Sequence, residues 1–73
     1  MDLDGYSKEK LWQMLVEAAH ANVMFPTHKA YTRDVILREK SEISAMELAN
    51  LLGMPFGEAL VILDELAETK KPA

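Results

Sequence analysis

Residues 43–57 carry the densest local instructions in the chain. Ser44 stands three residues before Glu47, the spacing of a capping box. In that motif the hydroxyl takes the N–H of the third helical residue, and the glutamate side chain returns to the cap's own N–H. Ile43 before the cap and Leu48 at the fourth helical position suit a hydrophobic staple. Gly53 follows Leu51 and Leu52, where a left-handed helix stop favours glycine. Pro55 then suits the first turn of a new helix. The spacing predicts a short helix over Ala45 to Leu52, a glycine turn, and a longer helix from Pro55 through Glu68.

Two more helical segments precede this pair. In the first, Ser7 to Met24, Ser7 serves as N-cap. Leu11, Trp12, Leu15, Val16, Ala18, Ala19 and Val23 recur at spacings of three and four, the helical signature. Lys8, Lys10, Gln13, Glu17 and Asn22 fall mostly off that face. Pro26 is expected to end this helix, because it disfavours helical geometry at Phe25. The second segment covers Thr27 to Lys40, with Thr27 and Thr32 both open as its cap, Ala30, Tyr31, Val35 and Ile36 as its apolar stripe, and Leu37 open as a further member. No stretch alternates with period two, so no substantial sheet is expected. The reading is an all-α, four-helix domain over 1–73, with a long N-terminal helix (7–24) ahead of a three-helix core (27–68).

Composition removes several function classes. A chain of 73 residues buries only about 60% of its unfolded surface, so its own core is thin. Apolar residues at 49% and charged residues at 27% fit a globular chain rather than a disordered one. The absence of cysteine excludes disulfides, thiolate metal sites and a cysteine nucleophile. The longest fully apolar run, Ala59 to Leu63, falls far short of the about 20 residues a membrane span needs. No basic-then-apolar leader is visible, so the expectation is a cytoplasmic protein that binds no membrane.

Chemistry finds no foothold either. There is no Gly-rich phosphate loop, H-E-x-x-H motif or nucleophile elbow. Ser7, Ser41 and Ser44 have no evident histidine neighbour. Glu17 and His20 lie i, i+3 on one helix, but carboxylate metal sites need that pair twice. No enzyme, cofactor, metal or small-molecule substrate is expected. His20 and His28 read as surface or helix-end residues, and the five methionines as gap fillers.

The stretch Ala45 to Leu63 resembles the bihelical unit of helix-turn-helix regulators. Ala49 lies four residues before Gly53, Met54 follows the glycine, and Ala59 and Ile62 stand six and nine past it. The resemblance makes the second segment the first helix of a trihelical core, without room for a β-hairpin wing. It also implies that the longer helix would enter the DNA major groove. The positions facing the groove would be Pro55, Phe56, Gly57, Leu60, Val61 and Asp64, none of them basic or an amide. Base edges are read mainly by Arg, Lys, Asn and Gln. Residues 41–73 carry six acids and two lysines, a poor charge for binding phosphate. The packing half of the family pattern is present and the reading half is missing.

Two function readings follow. The first is a protein-interaction or self-association module, binding a protein partner or forming a homodimer. Its surface centres on Phe56, Leu60 and Val61, with Trp12 in support. Ala59, Ile62, Leu63 and Leu66 fill the internal core, and Trp12 alone reads as a core residue near the protein edge. The long first helix either packs over Leu60 and Val61 or leaves them to a partner. The second reading is a DNA-binding transcription regulator. It would contact phosphates through Lys29, Arg33, Arg38, Lys40, Lys70 and Lys71, which include the chain's only basic stretch.

Overall fold

The computed structural model describes Gly5 and residues 7–70. Four helices and no strand occur among the described residues, so the domain is all-α. Helix α1 spans Lys8–Ala21 and is capped by Ser7, whose Oγ accepts the Lys10 N–H at 3.1 Å. It stops three residues short of the expected Met24, and Asn22 is the reason. The Asn22 Oδ1 accepts the Met24 N–H at 2.8 Å, a local side-chain bond that turns the chain. Pro26 therefore does not end α1. It sits in the first turn of the next helix, where a missing N–H costs nothing, and Phe25 is itself helical.

Helix α2 covers 25–39 and is interrupted. Its regular part, Phe25–Tyr31, passes through a π turn at Thr32–Ile36 into a last turn at Leu37–Glu39. Neither threonine caps it. Thr32 is instead fully buried mid-helix, its Oγ1–H donating to the His28 carbonyl at 2.7 Å. The Leu37 N–H reaches back five residues to the Thr32 carbonyl. A back-bonding threonine perturbs the regular ladder, and a π turn absorbs one extra residue. Thr32 and Ile36, four apart, both lie on the buried side.

Helix α3, Ala45–Leu52, forms as its caps dictate. The Glu47 N–H meets Ser44 Oγ and the Ser44 N–H meets Glu47 Oε1, both at 3.1 Å. The bond from the Ser44 backbone, followed by that from its hydroxyl, holds the Glu47 carboxyl below its ordinary range. Gly53 takes φ 69°, and its N–H and that of Met54 both close on the Ala49 carbonyl. Helix α4, Phe56–Lys70, then leaves at 118° to α3.

Helix α4 is the spine of the domain. Leu48 of α3 and Val61 and Ile62 of α4 have no exposed surface, and Phe25, Ile36, Met54, Ala59 and Leu66 close around them. Complete burial of such a side chain is worth about 1.5–3 kcal/mol. Helix α1 lies on a second side of α4 and crosses it at Gly57. A Cβ at Gly57 would stand 2.6 Å from Leu15 Cδ1, so α1 lies close against α4 at this point.

Candidate functional site

The side of α4 that α1 covers overlaps the positions a groove-reading helix would present. Gly57 lies under Leu15, and Val61, expected at an exposed surface, is fully buried. The correction for Val61 has a simple cause. Gly57 and Val61 are four apart and share one face of α4, so a helix docked on the first also covers the second.

What stays open is a stripe on another side of α4. Phe56 keeps 47% of its surface, Leu60 and Leu63 are half-buried, and Ala67 is exposed. Spacings of four, three and four make these positions a continuous seam of the kind that packs against another helix. Sequence reasoning named Phe56 and Leu60 and passed over Ala67; Leu63, assigned to the core, does pack against it while leaving part of its surface on the seam. The i, i+4, i+7, i+11 spacing was the available signal. Beside the seam's C-terminal half lies a groove of about 240 Å³, lined by Leu37, Ser41, Ile43, Leu63, Leu66 and Ala67. Trp12 is not a core residue. It keeps 36% exposure on α1, one turn before Leu15.

Polar contacts clamp the other side of α4 to the α1–α2 corner. Glu58 is only 4% exposed, and its two carboxylate oxygens are taken separately. Asn22 Nδ2 donates to Oε1 at 2.9 Å, and His28 Nδ1 pairs with Oε2 at 2.5 Å. One side chain of the α1 C-cap and one of α2 thus satisfy a carboxylate that would otherwise be costly to bury. Two turns further on, Glu65 receives His20 Nε2 at 2.6 Å and Lys29 Nζ at 2.8 Å. Burial pushes the Glu65 carboxyl up, but the hydrogen bonds from Lys29 and His20 and their charges outweigh it and hold it below its ordinary range. Phe25 lies beneath, edge-on to the His20 ring at 4.9 Å and 6.0 Å from Lys29 Nζ. Both histidines lie in the last turns of their helices, as expected, and His20 is exposed, but each also pairs with a carboxylate of α4, and Asn22 does not point away from the packed face. These pairs span 30 to 45 residues of sequence, so no local pattern announces them.

The same contacts draw down the basic stretch. Lys29 is bound to Glu65, and Arg33 makes a two-point exposed pair with Asp34, at 2.8 and 3.0 Å. That pairing lowers the Asp34 carboxyl and raises the Arg33 guanidinium from their ordinary values. Arg38 and Lys40 remain exposed. Lys70 closes α4, and Lys71 lies outside the described residues. Among the described residues, no group of three or more His, Asp or Glu side chains is placed to hold a metal ion. No single helix among them is long and apolar enough to cross a membrane.

Comparison with family models, curated proteins and solved structures finds no match for this chain. The assignment of function therefore rests on the geometry of α4 and its neighbours.

Proposed function

We propose that this chain is a small helical protein-interaction module, that its fold is helix-turn-helix-like, and that its docking surface is the open seam of α4. The fold half of the reading is supported by the angle of 118° between α3 and α4 across a three-residue turn with glycine in the left-handed conformation. Helix-turn-helix units join their helices at about 90–120°. The function half is carried by one observation: Gly57 lies against α1 and Val61 is fully buried, so two of the groove-facing positions on α4 are closed to DNA. What remains open at the groove-facing positions beyond the turn is Phe56, Leu60 and Asp64, two apolar side chains and an acid.

Exposed apolar seams of this spacing recognise an amphipathic helix laid along them. Phe56, an aromatic at the start of α4, is the residue type that anchors such contacts. The test pairs two titrations on the intact chain at about 50 mM salt. In the first, a labelled random-sequence duplex is followed by fluorescence anisotropy. In the second, helix-forming peptides with one leucine seam and varied flanking charge are followed by amide chemical shifts. Shifts centred on Phe56, Leu60, Leu63 and Ala67, with no duplex binding, are expected. Duplex binding that weakens steeply with added salt, as counterion release requires, would move the function to DNA through Arg38 and Lys40.

A further inference from the structure

We infer that the partner of the α4 seam is a basic amphipathic helix rather than a second copy of this chain. The inference rests on the interaction-module reading above and specifies the chemistry of its partner.

The charges around the seam carry the argument. Asp64 is exposed and stands one turn beyond Leu60, so it flanks the seam at its midpoint. The groove that extends the seam shares Ser41 and Ile43 with an adjoining surface bearing Glu39, Glu42 and Glu47 against Lys40 alone. An apolar floor between acidic rims favours a ligand with an apolar stripe and Lys or Arg on both sides of it. The long stems of lysine and arginine also cover apolar surface while their charged ends reach the rim.

A second copy fits less well on two counts. Antiparallel two-fold pairing through α4 would bring Asp64, which lies near the middle of the helix, toward the same residue of the other chain, and like charges facing one another across an interface are disfavoured. The area is also small. A standard interface takes about 800 Å² from each partner, and this chain exposes 5341 Å² in all. A fully buried aromatic supplies about 150–250 Å². Phe56 with two half-buried leucines and an alanine therefore falls well short of a globular dimer interface. The seam runs along α4, about 22 Å long, and a narrow stripe of this shape suits a single helix.

The experiment uses three synthetic 16-residue helix-forming peptides with leucine at positions i, i+4, i+7 and i+11. Their flanks are Lys/Arg, Gln/Ser or Glu. Affinity comes from chemical-shift titration of the intact protein, and self-association from sedimentation equilibrium at the same concentrations. The basic peptide is expected to bind about tenfold or more tightly than the acidic one. Its affinity should fall several-fold between about 50 and 200 mM salt, as screened surface charges require. Asp64→Lys should weaken the basic peptide and strengthen the acidic one. Phe56→Asp should abolish binding of all three, with helicity by circular dichroism unchanged. Equal or better binding of the neutral or acidic peptide overturns the partner chemistry while leaving the seam as a docking site. Self-association that Phe56→Asp removes overturns it in favour of a second copy. If none of the peptides shifts α4 and the chain stays monomeric, the interaction-module reading itself fails.

Discussion

His28 Nδ1 lies 2.5 Å from Glu58 Oε2, and this contact joins α2 to the first turn of α4 at a carboxylate that is almost wholly buried. Asn22 completes the arrangement from the end of α1, so three helical elements meet at one side chain. The position of α1 over α4, and hence which face of α4 is open, depends on that meeting point together with the Leu15–Gly57 approach.

Replacing Glu58 by alanine removes the acceptor for both donors and leaves Asn22 and His28 facing a void. The expected loss is about 2–4 kcal/mol, in the range for breaking a buried polar pair. Glu58→Gln keeps an acceptor for Asn22 and should cost less, about 1–2 kcal/mol. Urea unfolding followed by circular dichroism gives both values. Equal stability of Glu58→Ala and the parent would show that the corner does not hold the helices together.

Val61 and Phe56 are five residues apart on one helix and should behave in opposite ways. Val61→Ala opens a cavity at a site with no exposure and should destabilise by about 1–3 kcal/mol. Phe56→Ala removes a side chain that is nearly half in water and should cost less than about 1 kcal/mol of stability. A comparable midpoint shift in both variants would mean that Phe56 belongs to the core.

At Gly57 two effects oppose one another. Alanine gains about 1 kcal/mol of helix propensity, but its Cβ meets Leu15 Cδ1 at 2.6 Å. That atom is the end of a flexible, half-buried side chain and can turn aside, so Gly57→Ala should lie within about 1 kcal/mol of the parent. Gly57→Leu leaves no such escape and should displace α1, with a loss of about 1–3 kcal/mol. Thermal melting of the two variants tests the ordering.

Acid should weaken the domain through Glu65. Its folded carboxyl is held below its ordinary value of about 4.3, so the unfolded chain binds the proton more readily. The stabilisation is present above the unfolded value and is lost as pH falls through the folded one. Melting temperature should therefore decline from about pH 5 downward. In Glu65→Gln this decline should be shallower, although not abolished, because Glu47 is also held low by its cap. An unchanged acid limb in Glu65→Gln would remove Lys29 and His20 from the account.

Ser44→Ala removes one half of the capping box and should cost about 1 kcal/mol. Native-state hydrogen exchange should show the loss at the first turn of α3, starting with the Glu47 amide. Unaltered protection there would mean that Ile43 and Leu48 hold the helix start without the cap.

Elements whose causes lie within a few residues can be read from residue order. Ser7, the Ser44–Glu47 box, the Ile43–Leu48 pair, the left-handed Gly53 and the helical periods are all local, and each helix forms where they place it or within a few residues. Phe56 and Leu60 were legible as apolar residues in excess of what one core face can use. Which of them a partner can reach depends on how the helices pack. Helix α4 is apolar on more than one side, and its own pattern cannot say which side α1 will cover. That choice follows from the close approach at Gly57 and from contacts of Asn22, His28, His20 and Lys29 with acids 36 to 45 or 30 residues away. At Thr32 the hydroxyl bond to the His28 carbonyl is local, but the full burial of that threonine inside the domain is tertiary. Local signals fix where a helix starts and stops. Burial and long-range pairing fix which face it turns to water, because they depend on distances between segments that sequence order does not encode.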